Sequence, residues 1–116
     1  MMLEKRKLKR RHPVYYLKVV NRQTNESLGY LLDINVQGMM LAGKTALPAA
    51  ETVYDVAIQL PSELNGEKAI FLKVVNLWSE FDPQLEKFKS GFHFQDSTAE
   101  EAEKIKLLIE KYGFKN

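Results

Sequence analysis

From residue 14 to residue 94 the sequence is cut into short runs in which aliphatic, β-branched and aromatic residues recur at every second position, with turn-forming residues between them. A period of two builds strands that bury one face and is incompatible with helix, where apolar positions recur every three or four residues. The first run, residues 14–20, is dense in Val and Tyr and leads into the polar stretch 21–26, a hairpin loop. In the second, Leu28, Tyr30, Leu32, Ile34 and Val36 alternate and are expected to share the buried face. Gly38 interrupts the pattern and Met39-Met40-Leu41-Ala42 resumes it, so residues 33–38 read as a tight corner between strands two and three.

Tyr54, Val56, Ile58 and Leu60 mark strand four, and residues 61–66, ending in Asn65-Gly66, supply the turn after it. A long fifth strand runs from Lys68 to Trp78, with Ile70, Leu72, Val74 and Trp78 on one side. The sixth covers residues 88–94, with Gly91 inside it. The period then changes. Ser97-Thr98-Ala99-Glu100 fits a capping box, and beyond it Ala102, Ile105, Leu108, Ile109 and Tyr112 fall on one helical face that Gly113 terminates. Six strands at this spacing followed by one helix predict a mainly β domain, a small barrel or sandwich with a C-terminal α-helix packed on it. A chain of 116 residues has room for one such domain.

Charge is distributed unevenly along this frame. Residues 1–12 hold six basic side chains (Lys5, Arg6, Lys7, Lys9, Arg10, Arg11) against Glu4, a net +5; the other 104 residues hold eleven basic and fourteen acidic ones, a net −3. The expected division is therefore a basic N-terminal arm, 1–12, and a single domain, 13–116. No apolar run approaches the ~20 residues that span a bilayer, and the N-terminus lacks the apolar segment of a signal peptide, so a cytoplasmic protein is expected.

Catalytic and metal chemistry find little support. There is no cysteine, and the two histidines, His12 and His93, lie in the arm and among the phenylalanines of the last strand. No nucleophile elbow, phosphate-binding glycine loop or zincin pattern occurs. The expectation is a protein without catalytic residues, metal or cofactor. Met39-Met40 is most simply core, and Trp78 either covers one end of the barrel or stacks on a base. The basic arm admits three readings: a solvated tail, a nucleic-acid arm with steep salt dependence, or a pair of arginines gripping a small dianionic nucleotide. Arginine suits the last task because its planar fork binds phosphate bidentately and its flat face stacks on purines. Against broad nucleic-acid binding, the arm has no aromatic residue and the remainder of the chain is net acidic.

Arg6-Lys7-Leu8-Lys9-Arg10 and Asp33-Ile34-Asn35-Val36-Gln37-Gly38 stand in an order, at a separation and within a strand pattern that resemble the PilZ domain, a bacterial receptor module for cyclic di-GMP. That family is marked by Arg-x-x-x-Arg in an N-terminal arm and by Asp/Asn-x-Ser-x-x-Gly at a strand corner. Asn35 stands here where the family has serine. The resemblance extends over essentially the whole chain and implies a six-stranded antiparallel barrel with a C-terminal helix and a flexible basic arm that folds over the barrel mouth on ligand.

By this resemblance Arg6 and Arg10 bind phosphates and guanine edges or stack on the bases. Asp33 accepts from guanine N–H groups, Asn35 takes the place of the serine, and Gly38 lets backbone approach closely. Lys5, Arg11 and Trp78 are further expected contacts. The implied function is a non-catalytic cyclic di-GMP receptor or adaptor that acts on an unidentified protein effector, in motility, biofilm or surface regulation. Two alternatives are a degenerate PilZ domain working through protein contacts alone and a small barrel that binds RNA or single-stranded DNA.

Overall fold

Six antiparallel strands close on themselves in the computed structural model, which describes residues 16–48 and 51–114. They are β1 (Lys18–Asn21), β2 (Ser27–Ile34), β3 (Gly38–Gly43), β4 (Thr52–Leu64), β5 (Glu67–Asp82) and β6 (Lys87–Phe94), followed by α1 (Ala99–Tyr112). Their order around the barrel is β1-β2-β3-β6-β5-β4, so the link from β3 to β4 crosses between strands that are not neighbours. Closure is completed by β1, which pairs Val19 with Ile58 and Asn21 with Val56. The expected barrel is therefore present, while the arm with Lys5, Arg6, Arg10 and Arg11, together with His12 and the first residues expected in strand one, lies outside the described residues.

Leu17, Leu31, Leu41, Ile58, Ile70 and Val74 fill the interior, and α1 adds Ile105, Leu108 and Tyr112 to the same cluster. Each such side chain contributes about 1.5–3 kcal/mol through burial. The helix begins one residue later than the sequence pattern suggests. Thr98, not Ser97, is the N-cap: its side chain accepts from the Glu101 backbone N–H, and Glu101 reciprocates by accepting from the Thr98 N–H, both at 3.1 Å. Gly113 ends the helix as expected, with its N–H donating to the Ile109 carbonyl.

β1 is shorter than the first apolar run, since Tyr16 and Leu17 precede it. β4 extends through Pro61 to Leu64, so the turn shrinks to Asn65-Gly66, whose φ angles of 52° and 81° suit a two-residue hairpin. Pro61 lacks an N–H, and the pairing of β4 with β5 breaks between Gln59 and Leu64 before it resumes.

Two further irregularities decide which side chains face out. Between Leu31 and Asp33 the register of β2 against β3 shifts, as it does between Asn76 and Trp78 of β5 against β6. An extra residue in one strand reverses the in-out parity beyond it. Leu31 and Ile34 are therefore both buried, in place of the expected regular row from Leu28 to Val36, and Val36 is exposed. Likewise Ile70, Leu72 and Val74 point inward as expected, Asn76 is buried, and Trp78 turns outward and is 40% exposed. The fifth strand does not end at this tryptophan but continues to Asp82.

Candidate binding site on the outer face of the barrel

The β2–β3 hairpin is held by one side chain. Asn35 Oδ1 accepts from the backbone N–H of Gln37 at 2.8 Å and of Gly38 at 3.1 Å, while the Asn35 N–H donates to the Gly38 carbonyl at 2.9 Å. An asparagine that bonds to the backbone two and three residues on is the usual device for reversing a chain in so few residues. The hairpin is tied to β6 through the Phe94 N–H, which donates to the Gln37 carbonyl at 2.9 Å. Gly38 is required at this seam because a Cβ there would collide with the Phe92 carbonyl oxygen. The close approach anticipated at Gly38 is thus made by the chain's own β6.

The bulge in β2 places Asp33 opposite Met40, and both belong to the outer face because their neighbours Ile34 and Met39 are buried as a pair. Met39 is core as expected, whereas Met40 is half-buried and lines a surface hollow. One Asp33 oxygen accepts from the Ile34 N–H at 2.9 Å, which fixes the carboxylate and leaves its second oxygen uncommitted to any partner among the described residues.

The bulge in β5 makes the opposite wall. Trp78 is in register with Gly91, and Gly91 with Met40, so these three form a row across β5, β6 and β3. A Cβ on Gly91 would strike the indole of Trp78, so the ring packs directly on the glycine. Asn76 pins this arrangement from inside: its Nδ2 donates to the carbonyls of Trp78 at 3.1 Å and Gly91 at 3.2 Å. Its Oδ1 is buried without a partner among the described residues, a cost of about 1–3 kcal/mol that the barrel sustains at this point.

Together these residues enclose a hollow of ≈ 300 Å³. Asp33, Asn35, Gln37 and Gly38 form one wall, Trp78 with Leu77 the other, and Met40, Gly91 and His93 the floor. The structure thus brings together four of the expected site residues, Asp33, Asn35, Gly38 and Trp78. Met40, Gly91 and His93 were not assigned to the site from the sequence, although a glycine inside an aromatic strand was a signal that something packs against its backbone. Trp78 is an outer-face residue and does not cap the barrel end. The hollow offers a hydrogen-bond acceptor, an amide and a flat aromatic surface. Among the described residues that line it there is no lysine or arginine.

Neither a protein-family model nor a curated protein matches this sequence. Among solved structures, the chain is similar to the structure of the Bacillus subtilis inhibitor of motility, MotI/DgrA, with a TM-score of 0.66 and 17% sequence identity. The similarity covers 93% of this chain and 54% of that one, so this chain spans about half the length of the protein it resembles. At this identity the likeness is one of fold. No described helix is long and apolar enough to cross a membrane.

Proposed function

We propose that the chain is a PilZ-type receptor for cyclic di-GMP, without catalytic activity, that signals by changing the surface it presents to a protein partner. The observation that carries this reading is the chemical one-sidedness of the outer hollow. It has what a guanine needs, a carboxylate to accept from N–H groups and an indole to stack on, and among its described lining residues it has no lysine or arginine for the phosphates. The ligand has two phosphates and two guanines, and the missing positive charge is the one concentrated in residues 1–12. Arg6 and Arg10 are the groups that would bind phosphate and stack on the bases, with Lys5 and Arg11 adding field. A fold shared with an inhibitor of motility supports an output through protein contact.

Asp33, fixed by its bond to the Ile34 N–H, has an oxygen left for a base edge, and Trp78 supplies stacking area. Closing the arm over the dinucleotide is a two-state switch, in which the ligand favours one state of the surface over another. Titration calorimetry tests this directly. Cyclic di-GMP binds the wild-type chain at micromolar concentration or tighter, and Arg10→Ala loses that binding. Steep, salt-dependent oligonucleotide binding in its place would overturn the reading.

The degenerate adaptor keeps one specific support: Asn35 Oδ1 is already occupied by two backbone donors, so this side chain brings to a ligand only its Nδ2. Absence of heat with cyclic di-GMP up to high micromolar concentration would select that second reading.

A further inference from the structure

A second hollow, ≈ 580 Å³, lies along β1, β2 and the end of β3, and its chemistry is the reverse of the first. Lys18 from β1, Lys44 from the β3–β4 link and Lys87 from β6 line it, and no carboxylate does among the described residues. Among the described residues none of the three lysines has an ion-pair partner. This clustering occurs on a chain that carries a net −3 outside its first twelve residues. Like charges held around one concavity attract an anion into it.

The rest of the lining is apolar and aromatic. Leu28 and Leu47 pack against the core cluster, Ala42 is fully buried at the base, and the rings of Tyr16 and Tyr30 sit 4.9 Å apart along one wall. The hollow exists because two strands approach there without side chains. A Cβ on Gly29 would collide with the Ala42 carbonyl, and one on Gly43 would come within 2.7 Å of the Leu28 carbonyl. The link that carries Lys44 and Leu47 is anchored, since the Leu47 N–H donates to Ser79 Oγ at 3.1 Å.

We infer that this cleft is a binding site for a small amphipathic anion, a carboxylate or phosphate head on an apolar body. An enclosure within the roughly 300–1,000 Å³ range of small-molecule sites, mostly apolar with a few convergent charges, suits a compact ligand better than an extended chain. The head group meets the three ammonium groups, and the body lies on Leu28, Leu47 and the tyrosine pair. The net +5 of residues 1–12 has the wrong sign for three lysines, so charge favours a separate anion as the occupant. This site is separate from the proposed dinucleotide hollow and shares no lining residue with it.

The test uses anilinonaphthalene sulfonate, an apolar anion that fluoresces when desolvated, with the full chain. One equivalent binds, the amide resonances of Gly29, Gly43 and Lys44 shift, and Lys44→Gln/Lys87→Gln weakens binding by about tenfold or more. Decanoate and decyl phosphate compete, and their relative strength assigns the head group; neutral decanol does not compete. The inference fails if the double variant binds the dye unchanged, if decanol competes as well as decanoate, or if a short polyglutamate peptide does so.

It also fails if Phe71→Ser abolishes the signal, because Phe71 is exposed with Arg22 4.3 Å over its ring and offers the dye a rival surface. Cyclic di-GMP binds the double variant as tightly as the wild type if the two sites are separate; a loss of its affinity would assign these lysines to the dinucleotide site and overturn the inference.

Discussion

The two hollows on the outer wall of this barrel differ in what they lack. The one between the β2–β3 hairpin and Trp78 has a carboxylate, an amide and an aromatic face but no cation among the described lining residues; the one along β1 and β2 has three lysines and no acid. On the proposed reading the first therefore takes its positive charge from another part of the chain, residues 1–12. The second already holds the charge it uses. A site built in two parts can be switched, because the parts can be brought together or separated. A site complete within one wall of a barrel has no such lever.

The largest effect expected from this contrast follows removal of residues 1–12. Each charge-assisted hydrogen bond lost with Arg6 and Arg10 costs about 1.5–3 kcal/mol, so two of them take cyclic di-GMP affinity down by at least about a hundredfold. Anilinonaphthalene sulfonate still binds the truncated chain at the lysine cleft, because Lys18, Lys44 and Lys87 all remain. Calorimetry and dye fluorescence on one truncated sample measure both. A truncated chain that keeps its dinucleotide affinity would break the comparison, since the first hollow would then be complete alone.

Next in size is the aromatic wall. Stacking of a base on an aromatic side chain is worth about 1–3 kcal/mol, so Trp78→Ala weakens the dinucleotide complex by roughly fivefold to 150-fold. Gly91→Ala reaches the same wall from below, because the added methyl displaces the indole. Trp78 is the only tryptophan, and its emission reports directly on whether ligand covers it. Unchanged emission on saturation with cyclic di-GMP would remove Trp78 from the site. Neither substitution touches the lysine cleft, so dye binding is the control for folding.

What could be read from the sequence, and what could not, divides along these same residues. Strand alternation, the Asn-Gly turn and the helical period at the C-terminus were enough to predict six strands and one helix, because each is a local property of a short window, but they left barrel and sandwich open and only the family resemblance chose the barrel. Residues 33–38 were legible as a corner; the reversal itself is made by residues 35–37, with Asp33 still in β2 and Gly38 opening β3. The facing of Asp33 and Trp78 was not legible. Both lie just past a bulge, and one extra residue reverses the parity that an alternation argument assumes. A regular β2 would have turned Asp33 inward beside Leu31, and a regular β5 would have buried Trp78 beside Asn76. The inserted residues, Leu32 and Leu77, look like ordinary strand leucines. What fixes the second bulge is Asn76, through carbonyls that become its partners only after the chain has folded.

A smaller change is expected from Asn35→Ser. A serine hydroxyl can still accept from the turn N–H groups now held by Asn35 Oδ1, and it presents a compact donor to the ligand. One improved hydrogen bond tightens cyclic di-GMP binding by about threefold to tenfold, measured by calorimetry at fixed salt. If the substitution weakens binding, Asn35 is the better ligand at this position and the amide, not the turn, is its contribution. Dye binding at the second cleft is indifferent to it.

The smallest effect concerns what keeps the lysine cleft from being more positive still. Lys89 faces the same outer surface, in register with Ala42 on one side and Glu80 on the other, and its ammonium is tied to the Asp82 carboxylate at 3.1 Å. Lys87, which lines the cleft, is the register partner of Asp82 but makes no ion pair with it. The Lys89 hydrogen bond first, then those from the backbone N–H of Leu85 and Gln84, hold the Asp82 carboxyl below its ordinary value. A carboxyl lowered in the folded state stabilises the fold above the unfolded pKa, and that contribution is lost as pH falls through the lowered value. Asp82→Asn removes this acid-side dependence, so in a thermal-melt series its Tm falls less than the wild type's across that window. It also frees the Lys89 ammonium beside Ala42, tightening anilinonaphthalene sulfonate binding by about twofold at neutral pH and leaving cyclic di-GMP binding unchanged. Parallel acid profiles for the two proteins, or an equal gain at both hollows, would show that Asp82 does not set the charge of the second site.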